Sequence, residues 1–470
     1  VATIKNLSAT LAVWAVLASF PVATAQEPPT LTVITNVNIL DGRGGPPVAG
    51  RVVVRGERIE SVTTGDDPPP AGAAVMDGGG GYLVPGFIDM HAHLMFPRCG
   101  RDGAPPYFDR AVSQKMIATL LDFGITTVRS PATPTIAGLA MRDDLNAGRL
   151  RGPRAFAAAE LINNPKLNDA QLRAVVRDAL PYRPDYFKVY AALSPQAVAT
   201  VIDEAHAHGI PVIGHLGRTS WLEAARLGID HLTHAVDWSL KTLTLERQKA
   251  YASAILKYGA IHGPFHARID WLELLDLDSA EVRDMVREVG ARGIAVDPTL
   301  VAYDTKFAAP KGGRYAANAF VDVIPELHQD WINCPDGTSD WKPEDHRRWN
   351  AAYPKMQALL RMMRDAGVVL TTGTDLTNPW VIPGESLHQE FGLLVAAGFS
   401  PAEVLKMTGA NAAKALKSDQ VGLIEAGRRA DLVLLAANPL ADIGNTRSIR
   451  WVMQGGGIVS KGPKSARSAP

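Results

Sequence analysis

The sequence predicts an α/β protein: a (β/α)8 barrel of the TIM type carrying a small composite β-sandwich built from its N- and C-terminal flanks. Three observations lead there. Eight apolar β-type runs alternate with helical stretches across residues 85–419. The conspicuous histidines fall at the ends of those runs. Both flanks, 26–84 and 420–470, carry short β-type runs that are too few to bury a core alone. Eight strand–helix units are the count of a closed parallel barrel, whose chemistry sits at the C-terminal ends of its strands.

The elements follow in order. Lys5, the apolar stretch from Leu11 to Val22 and the small residues Ala23-Thr24-Ala25 have the form of a signal peptide over residues 1–25. Cleavage after Ala25 is expected, giving a periplasmic or secreted protein with no membrane span afterwards. Leu31-Thr32-Val33-Ile34 and Arg51-Val52-Val53-Val54 then read as a small antiparallel sheet. The runs at 430–435, 450–453 and 457–459 resemble it, and the two groups are expected to pair as the sandwich. Between them the candidate barrel strands are 86–91, 126–130, 155–159, 186–190, 211–215, 231–234, 294–299 and 368–372. Residues 301–363 carry Tyr315, Trp331, Trp341, Trp349 and Tyr353 with several prolines and glycines. This segment reads as an elaborated loop after the seventh strand, covering the barrel mouth.

Composition narrows the partners. The chain has 470 residues, 46% of them hydrophobic, and 48 basic against 48 acidic side chains. A chain of that length and make-up buries a large core. Its balanced charge and lack of a basic stripe exclude a nucleic-acid partner, which leaves a small-molecule substrate. The two cysteines, Cys99 and Cys334, are either unrelated thiols or, in an oxidising compartment, a disulfide. In a closed barrel the loops after strands one and seven emerge close together, so a Cys99–Cys334 bond is expected.

Chemistry enters with His91-Ala92-His93, directly after the apolar Phe87-Ile88-Asp89. Side chains two apart on a strand share a face, so both imidazoles can reach one metal ion. Lys188, His215, His234 and Asp375 also stand at the ends of predicted strands, and barrel closure gathers them around one mouth. Other histidines fail this test. His206 and His208 lie on a predicted helix, where two residues are about 200° apart around the axis. His231 points to the strand face opposite His234. His262, His266, His328 and His346 have no strand-end context. Tyr190, two residues beyond Lys188, either hydrogen-bonds a substrate carbonyl or carboxylate or simply packs. His388 is a second candidate for substrate contact.

The order His-x-His, Lys, His, His, Asp resembles the amidohydrolase superfamily. Pro85-Gly86-Phe87-Ile88-Asp89, Gly373-Thr374-Asp375 and the tail from Val421-Gly422-Leu423 to Asp431-Leu432-Val433 support the likeness, which spans roughly residues 31–460. Ser386-Leu387-His388-Gln389-Glu390, followed by Ala396-Ala397-Gly398-Phe399-Ser400-Pro401, is similar to the imidazolonepropionase-like and prolidase-like hydrolases. The resemblance implies two divalent ions, zinc first, with manganese, cobalt or iron also accepted by such donors. Lys188 would react with carbon dioxide to become N6-carboxylysine, an anionic carbamate able to bridge the ions. His91 and His93 would hold the inner ion with Asp375, and His215 and His234 the outer. A hydroxide shared by the ions would attack a carbonyl carbon, with Asp375 as general base and then general acid.

The implied function is hydrolysis of amide or peptide-like C–N bonds: Xaa-Pro dipeptides, N-acyl amino acids or related carboxamides. An ester, lactone or phosphotriester is the alternative at the same metals. A metal-dead binding relative would lack ligands, and none is missing here. Relatives commonly associate, so a homo-oligomer is expected.

Overall fold

The protein's structure is a computed structural model describing residues 31–64, 68–95, 97–98, 107–334 and 337–464. The expected signal segment and Cys99 lie outside the described residues.

All eight expected barrel strands form, all but the second shorter than its apolar run. They are Phe87–Asp89, Ile125–Ser130, Arg154–Ala157, Phe187–Val189, Val212–Gly214, His231–Thr233, Ala295–Asp297 and Val369–Leu370. The first three pair in parallel, as do the last five. An Ala158–Tyr186 bridge joins the third to the fourth. Met90 N donates to Thr372 O at 2.8 Å, and Ala92 bridges Leu376, which brings the eighth back to the first. This ring of parallel pairings is consistent with the barrel of an amidohydrolase-type α/β protein.

Helices cover the ring, and their starts are written locally. Ser194 accepts from Ala197 N and is followed by Pro195, whose missing N–H costs nothing in the first turn. Ser220 and Glu223 form a reciprocal capping box that begins Trp221–Leu227, and Trp221 is buried. Among the described residues, no helix is long and apolar enough to cross a membrane.

The two flanks do meet in one layer, but the sandwich is replaced by a single seven-stranded mixed sheet. Its order is Gly457–Ser460, Ile449–Gln454, Leu432–Leu435, Ala74–Pro85, Leu31–Ile39, Val48–Arg55 and Arg58–Thr63. Leu31–Ile39 pairs antiparallel with Val48–Arg55, as expected of those two runs, and parallel with Ala74–Pro85 on its other side. The central strand carries Gly78 to Gly81, a run of a residue common in turns. They instead form a bulge opposite the register shift between Thr35 and Val37. There Asp77 Oδ1 accepts from Gly79 N at 2.7 Å and from Asn36 Nδ2 at 2.9 Å. Ile34, Val52, Ile59, Leu83, Leu432 and Leu434 bury the inner face. The chain passes from sheet to barrel at Gly86, where a Cβ would lie 2.0 Å from Thr126 Oγ1.

Most of the described residues in 301–363 are helical, which corrects the expected loop. The helices are Leu300–Phe307, Pro325–Asn333 and Pro343–Asp365, with a 3-10 segment at Pro310–Ala317. The prolines at 325 and 343 open helices instead of breaking them. Trp331, Trp341 and Trp349 are buried, and Phe307 packs on the last two at 5.1 and 4.5 Å between ring centroids. Much of the aromatic content is therefore core, and Tyr303 and Phe307 border the cavity at the barrel mouth.

Candidate metal centre

The first strand ends at Asp89, and this buried carboxylate shapes the turn that carries the histidine pair. Its Oδ1 accepts from His91 N at 3.0 Å and Thr374 N at 3.1 Å, while Oδ2 accepts from Thr374 Oγ1 at 2.7 Å. The loop leaving the eighth strand is thus clasped to the His-x-His turn. Burial raises the Asp89 pKa to about 6 against the pull of these hydrogen bonds. Gly373 permits the approach, since a Cβ there would sit 2.8 Å from His91 Cβ. Asp375 N then donates to His91 O at 2.7 Å, and Asp375 adopts φ 55°. His234 and Thr299 also hold positive φ, 76° and 52°. Three non-glycine residues in this costly region at strand ends are held there by their surroundings.

Asp375 Oδ1 lies 3.2 Å from His91 Nε2 and 3.4 Å from His93 Nε2. His91, His234 and Asp375 each offer a ligand atom within 4.8 Å of the others. The first histidine is oriented from behind: His91 Nδ1 is 2.5 Å from Asp297 Oδ2. Asp297 Oδ1 accepts from Arg129 Nη2 at 2.5 Å, and Arg129 Nε donates to Met90 O at 2.8 Å. A proton on Nδ1 facing a carboxylate leaves the Nε2 lone pair directed to the cavity. That Nε2 is buried and has no hydrogen-bond partner. His93 Nδ1 lies 3.0 Å from Ala132 O, which again frees Nε2. His234 Nδ1 is 2.8 Å from Thr299 Oγ1, and its Nε2 is 2.6 Å from His215 Nδ1.

Burial holds His215 and His234 well below the usual histidine pKa, reinforced by His234 and Lys188 at the first and, against the pull of Asp375, by His91 and Lys188 at the second, so both imidazoles are neutral donors. Burial also lowers His93. It opposes protonation of His91 too, but Asp375 and Asp297 together raise that pKa above the ordinary value. Asp375 stays ionised: burial disfavours its charge, yet His91, His93 and His234 pull its pKa well down. Lys188, in the fully buried fourth strand, is lowered to about 8 by burial, with Asp375 and Asp297 opposing. Its Nζ lies 5.6 Å from the Tyr190 ring centroid, and Tyr190 stacks on His215 at 4.2 Å.

A cavity of about 290 Å3 opens on His91, His93, Lys188, His215, His234 and Asp375, with Tyr190 in its wall. The six expected ligands therefore converge, and the orphaned His91 Nε2 beside an ionised carboxylate and neutral imidazoles fits a divalent cation. His388 does not join them, which corrects its expected substrate contact. It is buried near the start of the first strand, with Nε2 3.0 Å from Phe123 O and Nδ1 2.9 Å from Thr446 Oγ1. Both nitrogens are engaged, and the ring packs against Phe87 and Phe391. Sequence reasoning missed Asp297 and Arg129. Each lies at or near the end of a barrel strand, the position that found the ligands.

The amidohydrolase family profile matches residues 82–459, and the chain belongs to that family. It is a metal-dependent hydrolase acting on C–N bonds, with a His91, His234 and Asp375 candidate metal site. Three solved structures share its fold. A Xaa-Pro dipeptidase with methionine bound in its active site has a TM-score of 0.65 at 19% identity, covering 91% of this chain and 99% of its own. A putative prolidase from Bifidobacterium longum has a TM-score of 0.64 at 22% identity, with 93% and 96% covered. The A. niger ochratoxinase has a TM-score of 0.63 at 17% identity, with 93% and 97% covered. No curated protein matches the chain.

Proposed function

We propose that the protein is a binuclear metal-dependent amidohydrolase that cleaves the C–N bond of Xaa-Pro dipeptides, N-acyl amino acids or related carboxamides. The observation that carries this reading is the convergence of six donor residues on one cavity, with His91 Nε2 buried and unpartnered. Solved relatives include a prolidase complexed with N-methylphosphonate-L-proline and the Xaa-Pro dipeptidase, which supports a substrate with an amino-acid half.

Four imidazoles, Asp375 and a carbamylated Lys188 would hold the ions, zinc by preference. Burial lowers the Lys188 pKa to about 8 and so enlarges its neutral fraction, and that amine adds to carbon dioxide, forming the N–C bond of a carbamate and releasing one proton. Bound divalent ions supply a Lewis acid for the scissile carbonyl and lower the pKa of the attacking water. Asp375 Oδ1, beside both histidines of the first pair, takes the proton of that water as the carbonyl carbon is attacked. It then delivers the proton to the leaving nitrogen, since an amine departs readily only when protonated. Tyr190, in the cavity wall, would hydrogen-bond the substrate.

The test is a panel of Xaa-Pro dipeptides and N-acyl amino acids, with esters, a lactone and a phosphotriester alongside, on metal-loaded protein of measured metal content. About two ions per chain and amide turnover abolished by chelation support the reading. Turnover of only the oxygen esters would replace it. Export, a Cys99–Cys334 bond tethering the helical cover, and homo-oligomerisation belong to the same proposal. Two alkylatable thiols in exported protein would remove the bond.

A further inference from the structure

Arg268 lies on the helix Leu245–Leu274 and lines the same cavity as the six donor residues. Its guanidinium carbon is 5.0 Å from the Phe265 ring centroid, 5.3 Å from Trp238 and 6.0 Å from Phe307. Aromatic faces hold a cation in place without neutralising it. Among the described residues, Arg268 makes no hydrogen bond and no ion pair. Other sheltered guanidinium groups here are matched: Arg129 by Asp297, Arg98 by Asp330 and Arg348 by Asp270. A planar, always-charged fork kept unpaired beside a reactive cavity is a receptor for a carboxylate, which it can engage through two parallel hydrogen bonds.

Its position narrows which carboxylate. In an N-acyl amino acid the α-carboxylate carbon is two bonds from the scissile nitrogen. A cation serving it must therefore sit next to the metal ligands, not at the outer rim. Arg268 does so: it shares the cavity with those ligands and stacks on Trp238, whose Nε1 donates to the Tyr303 hydroxyl at 3.2 Å, and the Tyr303 ring lies 6.0 Å from that of His234. Around it, Phe265, Phe307 and Tyr303 give the cavity an apolar wall. Lys306 adds a second cation on that wall, donating to Asn378 Oδ1 at 3.1 Å.

We propose that Arg268 receives the free α-carboxylate of the amino acid on the leaving side, while Phe265, Phe307 and Tyr303 pack against that residue's apolar side chain. This rests on the amide-hydrolase reading and narrows it to substrates ending in a free carboxylate on an apolar or aromatic residue. A neutral terminus in the same place would leave the guanidinium unpaired.

The experiment compares N-acetyl-L-phenylalanine with its C-terminal carboxamide, both as substrates of the metal-loaded protein and as ligands by calorimetry, before and after chelation. Charge-assisted pairing predicts kcat/KM for the acid about 10- to 100-fold above the carboxamide, carried mainly by KM. Arg268→Met collapses that ratio toward one, and Arg268→Lys keeps part of it. Calorimetry of chelated protein shows tighter binding of the acid in wild type and equal binding of both ligands in Arg268→Met. Equal handling of acid and carboxamide by wild type, or a preference that survives in Arg268→Met, overturns the assignment. If no amide is turned over, the hydrolase reading fails separately, while the calorimetric arm still decides Arg268.

Discussion

His91 and His388 are both imidazoles with almost no exposed surface, 0% and 1%, at opposite ends of the first barrel strand. At the mouth, His91 has Nδ1 fixed by Asp297 and Nε2 left without a partner. At the other end, His388 has Nε2 against the Phe123 carbonyl and Nδ1 against the Thr446 hydroxyl. Burial and residue type are the same; the hydrogen-bond account differs. A ligand is marked by one nitrogen held and the other left open among further donors, and a structural histidine by two nitrogens satisfied. His231 warns against using the open nitrogen alone. Neither of its nitrogens has a partner, but it packs edge-on against Tyr186, and among the described residues it belongs to no group of three possible ligands.

The sharpest way to break this contrast is at the mouth. Asp375→Asn should lower kcat by about 100- to 10,000-fold, the range for a positioned acid–base group, while most of the metal stays bound. Steady-state rates with metal analysis check both halves, and near-wild-type turnover would remove Asp375 from proton transfer. Lys188→Met should lose binuclear loading, and activity with it. A short carboxylate added to the Lys188→Ala variant should restore part of each. Full metal content and rate in Lys188→Met would end the carbamate assignment.

Behind the ligands the effect should be smaller. Asp297→Asn keeps the shape but removes the charge that orients His91, and should cost about 10- to 100-fold in metal affinity or activity. It also leaves Arg129 without its counter-charge, so the melting temperature should fall in the same variant. Equilibrium dialysis and thermal unfolding separate the two losses.

At the far end, His388→Phe should leave metal content and kcat near wild type while reducing stability by about 1–3 kcal/mol, chiefly through the unsatisfied Phe123 carbonyl. Its pH profile is the finer test. Burial, helped by the charge of Arg447, lowers the His388 pKa from 6.5 to about 3. The unfolded chain therefore binds a proton between those values that the folded chain does not. The stability contribution is complete above 6.5 and is lost as pH falls toward 3. Denaturant titrations across that window should show a shallower slope in His388→Phe, and an unchanged slope would mean His388 is not the group responsible.

The ligands are legible in the sequence because each stands at the end of an apolar run, and barrel closure turns that one-dimensional position into a ring. His388 looks equivalent because it lies in a family-like motif, and only the contacts with Phe123 and Thr446, far away in the chain, show where it points. Asp297 sits two residues before Thr299, at a strand end, and the rule that finds Asp375 applies to it equally. Arg268 carries no local signal, since its place in the cavity depends on how a 30-residue helix packs. The flanking sheet is obscured where Gly78 to Gly81 mimic a turn, because glycine serves a bulge within a strand as readily as a reversal between strands. Residues 301–363 mislead because proline at a helix start and proline in a loop look alike until the first turn is seen.

The central strand of the sheet, Ala74–Pro85, takes Leu432–Leu435 as a neighbour, with Pro85 opposite Leu432. Synthesis delivers these partners in the order they are encoded, so one edge of the early strand stays open until the entire barrel has been made. An open strand edge is a template for any other extended chain, and pairings this distant along the sequence close slowly. The interval between the two strands is therefore when a nascent copy is most exposed to joining its neighbour, and shortening the chain after the barrel would make that interval permanent.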